Sequence, residues 1–207
     1  MIAYITRHGQ IDPRQEVHVG NRPISELGRR QAGRLAERLA EAGFRGRVFV
    51  SPYLRCLETA DIICRRLGLA FRPEPAMREM NGPWIKEFAG LRDEEIKRMF
   101  ATCAGDAGLE YPWWTPEPET HSDVLKRVGA FLDSLLPGAT TDILLVGHGA
   151  TAEAAYEHLT GSNDFPDGHY NCALTAVRVR PERSVLHANF VEHLGQGEVT
   201  SNERVIA

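Results

Sequence analysis

The chain has 207 residues, 43% of them hydrophobic and 25% charged, which is ordinary for a globular protein with a sizeable core and excludes disordered or fibrous classes. Lys and Arg number 24 against 28 Asp and Glu, a formal net charge of −4, so no basic excess points to nucleic acid. No basic stretch followed by an apolar core opens the chain and no apolar run is long enough for a bilayer, so the expectation is a cytoplasmic protein without membrane partners.

The opening stretch, Met1 to Thr6, reads as a short buried strand that breaks off in Arg7-His8-Gly9. Residues 10–23, with Pro13, Gly20 and Pro23, read as a loop. Ser25 is a fitting N-cap for a helix from Glu26 to Ala42, with Leu27, Gln31, Leu35 and Leu39 at steps of four and Gly43 behind it. Residues 47–50 form a second strand. Ser51 and Pro52 are then expected to cap and begin a helix through Leu54, Leu57, Ala60, Ile63 and Leu67, stopped by Gly68. Residues 69–72 suggest a third strand, followed by an irregular stretch from Pro73 to Gly90 that holds Glu79, Trp84 and Glu87.

A helix is expected over 93–103. Residues 104–121 contain a Gly-, Pro- and Trp-rich run with Trp113 and Trp114 adjacent, which suits a lid or pocket wall and equally a cap on the core. Helical spacing returns over 122–136, and residues 142–146 form an apolar strand that ends in Gly147-His148-Gly149. A small-residue helix over 151–159 and two alternating stretches, 173–180 and 184–191, complete the chain. Cys56, Cys64, Cys103 and Cys172 make no C-x-x-C pair, and Cys56 and Cys64 read as buried free thiols. Without a repeat or linker, one domain over 1–207 is expected.

Strands alternating with helices imply a mostly parallel sheet, whose carboxyl ends share one edge. His8 and His148 would then face each other there, with Arg7 and Arg55 adding permanent positive charge. Such a group repels itself unless an anion sits in it, which favours a phosphate. A zinc site is the chemical rival, opposed by the two arginines.

These residues resemble the histidine phosphatase superfamily, also called the phosphoglycerate mutase-like family, through most of the chain. The resemblance is carried by Arg7-His8-Gly9, by Pro23 to Gly28 with Gln31-Ala32, by Ser51 to Ala60, by Arg78-Glu79, by Glu119 to Asp123 and by Val146 to Gly149, in that order. It implies a three-layer α/β/α sandwich and covalent catalysis without metal or cofactor. By the same resemblance His8 would attack phosphorus, and Arg7, Arg55, His148 (as the protonated donor) and the Gly149 amide would hold the phosphoryl oxygens. Glu79 would be the general acid and base, with Glu87 and Glu58 as alternatives. Ile11 stands where the family often carries a hydroxyl residue; Gln10 and Arg14 are candidates to fill that part of the cradle.

Three functions follow as expectations. The first is a metal-independent phosphomonoesterase acting on a small phosphorylated metabolite or a phosphoprotein. The second is a phosphoglycerate-type mutase, disfavoured because Arg78 to Gly82 lacks the basic-aromatic pattern of that branch. The third is a catalytically silent phosphate-binding domain, opposed by the intact Arg7, His8, Arg55, Glu79 and His148.

Overall fold

The computed structural model describes residues 1–12, 19–82, 90–105, 108–166, 170–201 and 204–205. Its centre is a six-stranded sheet in the order β3-β2-β4-β1-β5-β6. Strands β1 (Ile2–Arg7), β2 (Arg47–Val50), β3 (Phe71–Pro73) and β4 (Ile143–Gly147) run parallel, whereas β5 (Leu174–Arg178) and β6 (Ser184–Phe190) pair as the expected antiparallel hairpin.

Side-chain alternation along the inner strands divides two cores. Tyr4, Val48, Val50, Leu144 and Val146 face α1 (Glu26–Glu41), α2 (Leu54–Leu67) and α3 (Asp93–Met99), meeting Leu35, Leu39, Leu57, Ile63 and Ile96. Ala3, Ile5, Phe49, Ile143 and Leu145 face α4 (His121–Leu135) and α5 (Gly149–Thr160), meeting Val128, Leu132, Ala155 and Leu159. The result is a three-layer α/β/α sandwich. Among the described residues no helix is long and apolar enough to cross a membrane.

Registry fixes where the chemistry gathers. Arg7 lies opposite Gly147 and Val50 opposite Val146, so β1, β2 and β4 deliver His8, Ser51 and His148 to the same edge. A short pair beyond the main sheet, β7 (Thr200–Ser201) with β8 (Arg204–Val205), has no counterpart in the sequence pattern. Helix α3 stops at Met99 rather than 103, because residues 102–104 instead bond along the outer edge of β3: Phe71 N–H donates to the Thr102 carbonyl and Ala104 N–H to the Phe71 carbonyl.

Ser51 does not cap α2. The helix starts at Leu54 with Tyr53 as its N-cap, and no side chain caps it. The residue before a proline resists helical geometry, and the Ser51 hydroxyl finds a stronger partner in a buried imidazole, described below.

Candidate active site

His8 leaves the end of β1 pinned on both sides. Its N–H donates to the Gly147 carbonyl at 3.0 Å, and its carbonyl accepts from Asn171 Nδ2 at 2.9 Å. The ring is buried, and Nδ1 lies 2.8 Å from the Gly9 carbonyl. A carbonyl only accepts, so Nδ1 carries the proton and Nε2 keeps its lone pair. Arg55 Nε donates to that lone pair at 3.1 Å. Burial, then Arg55 and Arg7, hold the His8 pKa well below the usual imidazole range, against the pull of the Gly9 carbonyl.

Gly9 faces α1: a Cβ on Gly9 would stand 2.6 Å from the Gly28 carbonyl, and one on Gly28 would stand 2.3 Å from that of Gln10. The two glycines let the loop after β1 lie directly on the first turn of α1. The Gly9 N–H donates to Thr59 Oγ1 at 3.0 Å, and that hydroxyl donates to the Arg55 carbonyl at 2.7 Å. One threonine thus couples the His8 loop to the turn that carries Arg55.

Arg55 is 4% exposed despite its charge. Its guanidinium carbon sits 4.5 Å over the Tyr53 ring, and Nη2 lies 3.2 Å from His148 Nδ1. Since a guanidinium only donates, Nδ1 of His148 is an acceptor here and Nε2 bears the proton, which goes to Ser51 Oγ at 2.8 Å. Burial, followed by Arg55, His8, Arg7 and Arg127, holds the His148 pKa well below its ordinary value. The protonated His148 expected from sequence is the form beside an anion; without one, burial and four positive or potentially positive neighbours disfavour the charge. An oxyanion between the two rings, whose centroids are 5.3 Å apart, reverses that balance.

Glu79 approaches from the loop after β3. Oε2 is 3.5 Å from His148 Nδ1, and Oε1 accepts the Met80 N–H at 3.0 Å. Its side chain is 29% exposed, so it meets solvent on one side and buried cations on the other. Burial lowers the Arg7 pKa, Glu79 opposes this, and Arg55 adds to it, so Arg7, Arg55, Glu79 and both imidazoles act on one another in a single space. Gly149 is the first residue of α5, with His148 as N-cap; its amide belongs to the helix start, where N–H groups lack intrahelical partners and suit an anion.

Other sequence candidates lie elsewhere. Glu58 accepts the Ile24 N–H at 2.7 Å and Arg29 Nη2 at 2.9 Å, so both its oxygens serve the packing of α1 against α2. Glu87, Trp84, Arg14, His18 and His169 lie outside the described residues. Gln10 turns its side-chain oxygen to the Ser25 hydroxyl at 2.6 Å. His121 pairs with Glu157 and His158 with Asp133, each at 2.9 Å, and both pairs join α4 to α5. His193 bonds the Cys172 carbonyl at 2.9 Å, and His187 packs 5.2 Å from Phe190. The Cys56 thiol, 3.4 Å from His148 Nε2, is pushed up to about 12 by burial, with Arg55 opposing, and stays protonated. Trp113 is 5% exposed, donates Nε1–H to the Leu91 carbonyl at 3.0 Å and packs 5.5 Å from Tyr53; it backs the aromatic ring that supports Arg55 and His148.

Sequence reasoning missed Ser51 as a partner of His148, and Asn171 and Thr200 altogether. Asn171 Oδ1 accepts from Thr200 Oγ1 at 2.9 Å; Thr200 Oγ1 accepts from Gln31 Nε2 at 2.8 Å; Gln31 Oε1 accepts the Gln10 N–H at 2.8 Å. This buried chain of amides clasps the His8 loop from both ends. Gln31 was visible as a polar residue in an apolar helical row; nothing periodic marks Asn171 or Thr200.

Comparison with known proteins agrees with this fold. A human relative, ubiquitin-associated and SH3 domain-containing protein A, is 30% identical over 154 residues, 67% of this chain; the chain spans 23% of that protein's length. The ecdysone phosphate phosphatase of Bombix mori, solved with tungstate, superposes with a TM-score of 0.73 at 19% identity, covering 94% of this chain and 95% of that one. The mycobacterial glucosyl-3-phosphoglycerate phosphatase, solved with inorganic phosphate, gives 0.64 at 25% identity over 94% of this chain and 99% of that one. The sequence model of the histidine phosphatase superfamily (branch 1) matches residues 3–190. With His8 and His148 at neighbouring strand ends and two arginines around them, the chain belongs to the histidine phosphatase superfamily, branch 1.

Proposed function

We propose that the protein is a metal-independent phosphomonoesterase that hydrolyses a small phosphorylated substrate through a phosphohistidine on His8. The observation that carries this reading is the tautomer of His8. With Nδ1–H held by the Gly9 carbonyl, Nε2 presents its lone pair into a buried cluster of Arg7, Arg55 and His148. Family membership supports phosphatase- or mutase-like chemistry, and the named neighbours include phosphatases crystallised with tungstate or phosphate.

In the first step the Nε2 lone pair forms an N–P bond while the P–O bond to the leaving group breaks. The electron pair goes to the leaving oxygen, and Glu79 supplies its proton. Arg7, Arg55, the Gly149 amide and a His148 that takes up a proton from solvent as the anion binds take the charge on the phosphoryl oxygens. Arg55 must release Nε2 as it turns to the phosphate. In the second step water attacks phosphorus, Glu79 takes its proton, and the N–P electron pair returns to Nε2.

The test is a rapid quench of the enzyme turning over a phosphate ester labelled with ³²P. A label that resists base, is lost in acid and is missing from His8→Ala supports the mechanism. Steady turnover in chelator with no such label, or with the label undiminished in His8→Ala, rules it out. Phosphoryl exchange that depends on a bisphosphorylated primer would identify a mutase instead.

A further inference from the structure

The carboxylate of Glu79 has little to hold it directly. Among the described residues its carboxylate bonds one backbone amide and lies beside the edge of His148, with 29% of its side chain in solvent. Yet a misplacement of about 1 Å in a proton donor costs roughly a hundredfold in rate. The stiffness must come from the backbone beneath it, and there a second carboxylate stands out. Glu119 is 7% exposed and receives four donors: Arg78 Nη2 at 2.6 Å and Arg127 Nε at 2.8 Å on Oε1, Arg127 Nη2 at 3.2 Å and the Asn81 N–H at 3.1 Å on Oε2.

Those donors bracket Glu79 in the chain. Arg78 precedes it by one residue and Asn81 follows by two. The Glu119 N–H returns a bond to the Asn81 carbonyl at 2.8 Å, and Arg127 reaches over to the carbonyls of Ala76 and of Glu79 itself, the latter at 3.4 Å. Asn81 Nδ2 adds bonds to the Thr115 and Glu117 carbonyls, each at 3.0 Å. Glu119 is in turn aimed by α4: Thr120 is the N-cap, and its capping box with Asp123 fixes the angle at which the chain enters the helix. Burial raises the Glu119 pKa, but bonds from Arg127 and the Asn81 amide, with Arg78 nearby, hold it below the ordinary carboxylate range.

We infer that Glu119, clamped between Arg78 and Arg127, is a positioning residue that holds Glu79 at the leaving-group oxygen. The inference rests on the reading of Glu79 as general acid. A clamp of this kind matters in proportion to how much the leaving group needs its proton, whereas a merely structural pair supports all substrates alike.

The experiment measures kcat/KM over a series of phosphate monoesters, from 4-nitrophenyl phosphate to an unactivated alkyl phosphate, for the parent protein, Glu79→Gln and Glu119→Gln. Glu119→Gln is expected to lose roughly tenfold or more on the alkyl ester and under about threefold on the nitrophenyl ester, a milder copy of Glu79→Gln. An equal loss on both esters, or none on either, overturns the inference. If Glu79→Gln itself leaves the leaving-group dependence unchanged, the reading of Glu79 fails instead, whatever Glu119 does. Should Glu119→Gln not fold, Arg78→Lys keeps the charge and loosens the same grip. It is expected to show the same divergence, and a uniform effect there overturns the inference as well.

Discussion

A buried imidazole does useful chemistry only if something decides which nitrogen carries its proton, and at each histidine one neighbour of fixed polarity makes that decision. For His8 it is the Gly9 carbonyl, which only accepts; for His148 it is the Arg55 guanidinium, which only donates and so leaves Nε2–H to the Ser51 hydroxyl. Ser51→Ala removes the oxygen acceptor of His148 Nε2–H and leaves it the weak Cys56 sulfur at 3.4 Å, at a cost of about 1–3 kcal/mol in urea denaturation. It is also expected to weaken tungstate binding, since Nδ1 is no longer aimed into the pocket. Unchanged tungstate affinity in a destabilised variant would mean that Arg55 and Tyr53 suffice to orient the ring. Gly9→Ala acts by crowding. Its methyl would meet the Gly28 backbone, which cannot yield as a side chain does, so a loss of about 1–3 kcal/mol is expected. Turnover should fall further than stability implies, because displacing Gly9 swings the carbonyl that fixes His8; turnover at the parent level in the folded variant would contradict this.

At the scale of elements, the site is a meeting of loops that separate helices and strands hold in place. Strand β7 contributes a single hydroxyl, Thr200 Oγ1, to the amide chain running from Asn171 through Gln31 to the His8 loop. Thr200→Val keeps the shape and removes the hydroxyl, leaving Asn171 Oδ1 without that donor. The expected cost is about 1–3 kcal/mol, with kcat lowered because Asn171 anchors the His8 carbonyl. A variant as stable and as active as the parent would show the chain to be dispensable. The same elements show what a sequence displays and what it conceals. Arg7-His8 and Gly147-His148 announce themselves because each breaks an apolar run at a strand end, and the βα alternation then forces both onto one edge. Arg55 and Glu79 follow from the motifs around them. Ser51 misleads, since a serine before a helical pattern looks the same whether it caps the helix or bonds a distant ring. The role of Gly9 stays hidden: its neighbour is another glycine 19 positions on, in the first turn of α1, and close approach of a loop to a helix leaves no periodic trace. Thr200 and Asn171 lie in short irregular stretches whose partners are fixed only by tertiary contact.

The molecule gathers Arg7, Arg55, His8 and His148 at the carboxyl edge of the parallel strands, between two apolar layers, and this makes its stability depend on what fills the pocket. His8 and His148 are both depressed below their ordinary pKa, chiefly by burial and then by Arg55. In the unfolded chain these imidazoles take up protons near about pH 6.5; in the empty native protein they do so only at lower pH. The unfolded state therefore binds more protons below about pH 6.5, and stability falls as pH drops through that window. Paired carboxylates such as Glu119 and Asp123, whose native pKa values are lowered, add their own acid loss, but only below about pH 4.5. The two contributions are thus separated in pH. Between about pH 7.5 and 5.5 the urea midpoint of the empty protein is expected to fall, and the double variant His8→Gln, His148→Gln to lose much of that slope. Adding sulfate, which stays dianionic across this range, should protect more at the acid end, because the anion draws the imidazoles toward their charged forms. A parent protein whose acid slope matches the double variant, or a sulfate effect that does not grow as pH falls, would place the pH dependence outside the pocket.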